Sequence, residues 1–123
     1  MIIKNFRDLA TDNDAHTVLQ ILESGLEAAM PKNMLQKIIR KNQIVIGKNI
    51  KSLSNYDRIF VVAFGKAADS MTHEVNMLTR INGGIVVIPE KYDSVLKAKK
   101  FEIIHAGHPV PNKNSLQAAN KII

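Results

Sequence analysis

The hydrophobic and polar positions of this 123-residue chain fall into two regimes, one helical and one strand-like. Over residues 11–30, Ala15, Val18, Leu19, Leu22, Leu26 and Ala29 recur at three- and four-residue intervals. That spacing puts one apolar stripe on a helix. Thr11 and Asp14 suit a capping box at its start, and Pro31 ends it or opens the next helix. A second helix is expected over 33–41, with Met34, Leu35, Ile38 and Ile39 on one side. The β-branched run QIVI at 43–46 reads as a strand or an extended link, and KSLSNYD at 51–57 as polar turn.

From residue 58 the pattern changes. RIFVVAF at 58–64 is nearly continuous apolar sequence rich in β-branched and aromatic residues, the signature of a strand covered on both faces. Helical spacing returns over 66–80, with Ala67, Met71, Val75 and Leu78 on one side. NGG at 82–84 interrupts it, and IVVI at 85–88 reads as a second buried strand stopped by Pro89. Residues 92–100 are a short helix or a loop, FEIIHA at 101–106 is a third strand, and residues 114–123 start another amphipathic helix. The resulting order, a helical lead-in over 1–57 and a β-α-β core over 58–123, predicts an α/β fold. Its sheet should be Rossmann-like, open, mainly parallel and flanked by helices, with its C-terminal end incomplete.

Composition narrows the choices. The length suits one domain, and 46% hydrophobic residues suit a packed core, mainly aliphatic because aromatics make up 5%. With no cysteine, the chain has no disulfide, thiol catalyst or cysteine-ligated metal. Without a signal-peptide core or a run approaching ~18 apolar residues, it is expected to be cytoplasmic and not membrane-bound. The formal charge of +6 allows anionic partners. Its lysines are dispersed, however, and no arginine-rich helix or basic–aromatic interleaving points to nucleic acid.

Two loops carry candidate chemistry. In a parallel sheet all strand carboxyl ends share one edge, where ligands bind. FGKAA leaves the first strand there and AGHPVPN leaves the third. Gly65 leaves room for a ligand to approach the backbone, and the amides that open the next helix favour an anion. Lys66 adds a full charge at the helix dipole's positive end, which is unfavourable without an anion unless the side chain swings into solvent. The corner is not a P-loop: Ala67 stands where that motif needs Ser or Thr, and the G-x-G-x-x-G fingerprint is also absent. His108, between Gly107 and Pro109, either meets a ligand or caps its loop by a backbone hydrogen bond. Asn112 suits a cap for the following helix. His16, His73 and His105 read as structural.

Taken together, VVAFGKAADSM, NGGIVVIP and IIHAGHPVPNKNSLQAA resemble the N-terminal part of the glycerate kinases that form 2-phosphoglycerate. The resemblance runs over nearly the whole chain. It implies ATP-dependent phosphoryl transfer to the 2-hydroxyl of D-glycerate, with Lys66 as catalytic lysine and Gly65 and His108 as substrate-binding residues. Magnesium would accompany ATP, although no carboxylate cluster here offers to hold it. A homodimer is compatible with the resemblance. Two positions depart from the family pattern: Ala63 where glycine is common, which alters packing, and Asn112 where aspartate is common, which removes a charge. The family's glycine-rich S-G-G-G-S-type loop does not occur before Ile123. A fragment of a larger enzyme, inactive alone, is therefore expected. The other expectation is a non-catalytic module for a small anion such as a sugar phosphate.

Overall fold

A computed structural model describes residues 1–123. The N-terminal part holds three helices, α1 (Phe6–Leu9), α2 (Asn13–Ala29) and α3 (Pro31–Ile38). A three-stranded antiparallel sheet follows, formed by β1 (Ile39–Arg40), β2 (Gln43–Ile46) and β3 (Asn49–Ser52), and a single 3₁₀ turn at Leu53–Asn55 closes this region. The second part alternates β4 (Phe60–Phe64), α4 (Ala68–Leu78), β5 (Gly83–Pro89), β6 (Phe101–Ala106) and α5 (Lys113–Ile122). Its three strands form a parallel sheet in the order β4-β5-β6, the expected α/β architecture.

Small residues and aliphatics set the packing. Ala63 pairs with Val86 and Val86 with Ile103, so these side chains share one face of the sheet. Val86 and Ile88 are fully buried there with Phe101, Ile81, Leu96 and Ala68 of α4. On the opposite face α5 packs on β6, and Lys121 pairs with Glu102. The loop over 90–100 is irregular but anchored. The Asp69 carboxylate accepts from the Ser94 hydroxyl and, at 2.7 Å, from the Val95 amide. Beside it, Leu96 is inserted into the core.

Several expectations are corrected. The α2 cap is Asp12, not Thr11: Asp12 lies in extended backbone and its carboxylate accepts from Ala15 N at 2.8 Å. The third helix stops at Ile38, because Lys41 and Asn42 at φ 48° and 61° form a two-residue hairpin loop that turns Ile39 onto Ile44. Such loops usually advertise themselves with glycine, and Lys-Asn does not. The polar turn read over 51–57 begins two residues late: Lys51 and Ser52 end β3, and the 3₁₀ turn follows at Leu53–Asn55. On α4 the buried positions are Ala68 and Thr72, one residue off the predicted Ala67–Met71 stripe. The two glycines expected to precede β5 are its first residues.

Burial differs most. Only 15 of 123 residues are buried. The α2 stripe has the predicted period, but Val18, Leu22 and Leu26 are exposed. The strand expected to be covered on both faces is covered on one, with Phe60, Val62 and Phe64 being 60%, 52% and 75% exposed.

The N-terminus is tied down by one side chain. Glu23 of α2 accepts from the amide of Ile3 at 2.8 Å and from that of Ile2, and it faces the terminal amine at 3.8 Å. These contacts, the Ile3 bond foremost, hold its carboxyl below the ordinary glutamate range. A depressed folded-state pKa gives stabilisation that is present above the unfolded value and lost as pH falls through the folded one. Residues 1–5 should therefore detach in acid. At neutral pH, Glu23→Gln should weaken the same tie, read as faster amide exchange at Ile2 and Ile3.

Candidate functional site

The loops after β4 and β6 leave the same edge of the parallel sheet and meet there. Between them lies an open cleft of about 430 Å³. Gly65 and His108 both line it, with Phe64, Pro89 and Gly107, while Ala118 and Ile122 of α5 form the opposite wall. Lys66 is not in the lining, but it follows Gly65 directly and its side chain is exposed.

Why the chain turns at Gly65 is clear from its backbone. Its φ is +105°, a conformation that L side chains rarely adopt. Its amide donates to Val87 O at 3.0 Å, which completes the β4–β5 pairing. Its carbonyl accepts from Ala68 N at 3.2 Å, closing the turn into α4. The helix thus starts at Ala68, slightly later than predicted, and Lys66 and Ala67 form the turn. Their amides bond no atom of the chain, and Lys66 has no ion-pair partner. Two free amides and an ammonium at a helix start form an environment that attracts anions.

The second loop is held by Asn112, as the capping expectation required. Its side-chain oxygen accepts from the amides of Gly107, Asn114 and Ser115 at 3.1, 3.1 and 3.2 Å. Ser115 Oγ in turn accepts from the Asn112 amide at 3.1 Å. The Asn112 side-chain nitrogen donates to Glu90, at the end of β5. Asn114 donates to His105 O at 2.9 Å. One side chain therefore ties together the end of β5, the loop after β6 and the start of α5. His108 rides on that frame, exposed, just ahead of a backbone fixed by Pro109 and Pro111. It makes no hydrogen bond, so the loop-capping role open to it in sequence is not used, and its ring is free for a ligand.

Glu90 was not foreseen, because its role depends on Asn112, 22 residues away. Asn112→Ala should remove the cap, at a cost of about 0.5–2 kcal/mol, and release the loop. Thermal denaturation should report the first effect, and mobility of the His108 ring resonances the second.

The cleft does not by itself suit a magnesium nucleotide. No group of three or more His, Asp or Glu side chains could hold a metal ion. Eight of the 13 lining residues are hydrophobic and none carries a fixed positive charge; Lys66 stands next to Gly65 of the lining.

Fold and site together define an α/β protein with an open cleft at the carboxyl edge of a parallel sheet. The chain belongs to the family described as a domain of unknown function (DUF4147), which matches residues 17–123. It is similar to the glycerate 2-kinase of Pyrococcus horikoshii, with 25% identity over 105 residues, 85% of this chain and 23% of that protein. It is 31% identical over 109 residues to the D-glycerate 2-kinase of Thermotoga maritima, covering 85% of this chain and 22% of that protein. With the glycerate 2-kinase of Picrophilus torridus it shares 27% over 120 residues, 96% of this chain and 27% of that protein. The family resemblance read from G-K-A-A and A-G-H-P-V-P is thus borne out. The chain spans about a quarter of the length of these relatives. A crystal structure of a Pyrococcus horikoshii protein shares its fold, with a TM-score of 0.71 at 22% identity, over 98% of this chain and 25% of that one. No helix is long and apolar enough to cross a membrane.

Proposed function

We propose that this chain supplies one wall of the active site of a glycerate 2-kinase, which transfers a phosphoryl group from ATP to the 2-hydroxyl of D-glycerate. The observation that carries this reading is the cleft where Gly65 and His108 meet beside the free ammonium of Lys66. The kinase names of the relatives supply the reaction class. Such a transfer needs positioning and charge stabilisation more than covalent help from the protein. Lys66 and the two free amides of the turn favour the carboxylate of glycerate or the oxygens of the phosphoryl group. Gly65 allows that approach, and His108 contacts the substrate from the opposite loop. The site is completed by residues outside this chain, including those that hold magnesium, and the protein works in the cytoplasm.

A second reading rests on the same unpaired amides: a module that binds a small anion such as a sugar phosphate without catalysis. Two measurements separate the readings. Calorimetric titration of the 123-residue chain with ATP, D-glycerate and phosphoglycerates should show no micromolar binding if the site needs its other wall. Tight binding of a phosphoglycerate by the chain alone would favour the module. A coupled assay for 2-phosphoglycerate, run on a longer protein that includes this chain, should show ATP-dependent turnover. Absence of turnover in that folded protein would overturn the kinase reading.

A further inference from the structure

The loop that carries His108 leaves β6 at Ala106 and ends at Asn112, and one residue at the end of β5 bonds both of its ends. Glu90 donates its amide to Ala106 O at 3.1 Å, and its carboxylate accepts from the Asn112 side-chain nitrogen. Between these points the loop is closed tightly on itself. A Cβ at Gly107 would lie 2.4 Å from Val110 O and 3.0 Å from Asn112 Cγ, so glycine is what lets the two sides of the loop approach this far. The Asn112 oxygen accepts from the Gly107 amide across the same gap.

Every other side-chain hydrogen bond made by residues 107–115 ends within residues 105–115. Those bonds make the loop and the start of α5 one unit. Glu90 supplies the side-chain bond that joins this unit to the neighbouring strand. The chemistry suits that task. Glu90 makes no ion pair, so no cation diverts its carboxylate. A hydrogen bond to an ionised acceptor is also about twice as strong as a neutral one. The pairing has a direction as well. Asn112 turns its NH₂ to Glu90 only while its oxygen faces the amides of Gly107, Asn114 and Ser115, so the tie to β5 and the cap of α5 support each other. Pro89, the preceding residue, lines the cleft, and Glu90 stands just outside it.

We propose that Glu90 is a positioning residue for the candidate site: by gripping both ends of the loop, it fixes where the His108 imidazole stands in the cleft. It does not touch the substrate and acts through His108. The proposal rests on the kinase reading for what His108 contacts, whereas the placement of the ring is a property of this chain alone.

The placement is tested first, in the 123-residue chain. Glu90→Ala should keep Tm within about 4 °C of the parent while the His108 ring resonances report greater mobility. Glu90→Gln, whose oxygen still accepts from Asn112, should leave the ring as it is. Asn112→Asp sets two carboxylates face to face and should free the ring, and adding Glu90→Gln to it restores a donor and should settle the ring again. An unchanged ring in folded Glu90→Ala, or no recovery in the double variant, would overturn the proposal. The second test uses a longer kinase that includes this chain. There Glu90→Ala should raise KM for D-glycerate about tenfold and change kcat less than about threefold, the pattern of a displaced binding contact. In a His108→Ala background the same change should add nothing, because its effect runs through that ring. An equal rise of KM in that background would overturn the proposal. Absence of turnover in the unmutated protein would overturn the kinase reading instead, and the ring resonances would still decide whether Glu90 places His108.

Discussion

Lys66→Ala, made in a longer kinase that includes this chain, is expected to lower kcat for D-glycerate phosphorylation by about 10²–10³, the usual effect of removing one preorganised group that stabilises transition-state charge. The protein should otherwise be intact. The lysine is exposed and makes no ion pair, so its removal should leave stability within about 0.5 kcal/mol. A turn of free amides would remain and would continue to bind an anion weakly. The loss should therefore fall mainly on kcat if the ammonium meets charge that develops during transfer, and on KM if it only holds the glycerate carboxylate. Lys66→Arg should recover part of the loss, because charge returns with altered reach. Unchanged kcat in a folded Lys66→Ala protein would remove the lysine from the mechanism.

How far this arrangement was legible in the sequence depends on the range of the interaction. β6 appears at the residues where FEIIHA predicts it, and Asn112 caps α5 as expected, because strand propensity and capping act over a few neighbours. The convergence of Gly65 and His108 was also legible, since parallel topology alone sends both loops to one edge. Of the β1–β3 sheet only β2 was, as the strand alternative for QIVI at 43–46; the sheet itself was not. It depends on a Lys-Asn hairpin loop at positive φ, a conformation that Asn tolerates but does not announce. The register of α4 was missed for a related reason. Thr72 reads as polar, and nothing local shows that its position, and not that of Met71, faces the sheet. The Glu90–Asn112 bond needs the fold before it exists.

The exposed apolar residues are the most instructive error. RIFVVAF reads as a strand covered on both faces, and this chain covers one. The pattern records the burial that the sequence is suited to, while the structure records the burial that 123 residues can provide. The exposed side of β4 and the uncovered stripe of α2 mark where the two differ.

Gly84→Ala is expected to destabilise the fold by about 1–3 kcal/mol, the range for overpacking a tight core. Gly84 pairs with Val61 in the β4–β5 ladder. A Cβ at Gly84 would lie 2.3 Å from the Val61 carbonyl oxygen and 3.1 Å from both its carbonyl carbon and its Cβ. The obstacle is backbone, which cannot swing aside as a side-chain tip would, so β4 and β5 must move apart. At about 4 °C per kcal/mol for a domain of this size, Tm should fall by about 4–12 °C. The shift should reach the cleft, because the Gly65 turn hangs on its bond to Val87 in the same ladder. Gly25→Ala is the matched control. A Cβ there meets nothing within 4 Å, and its position inside α2 favours alanine. It should raise stability by about 0.5–1 kcal/mol. Equal Tm for the two variants would show that β4 and β5 are not held as closely as the Val61–Gly84 contact requires.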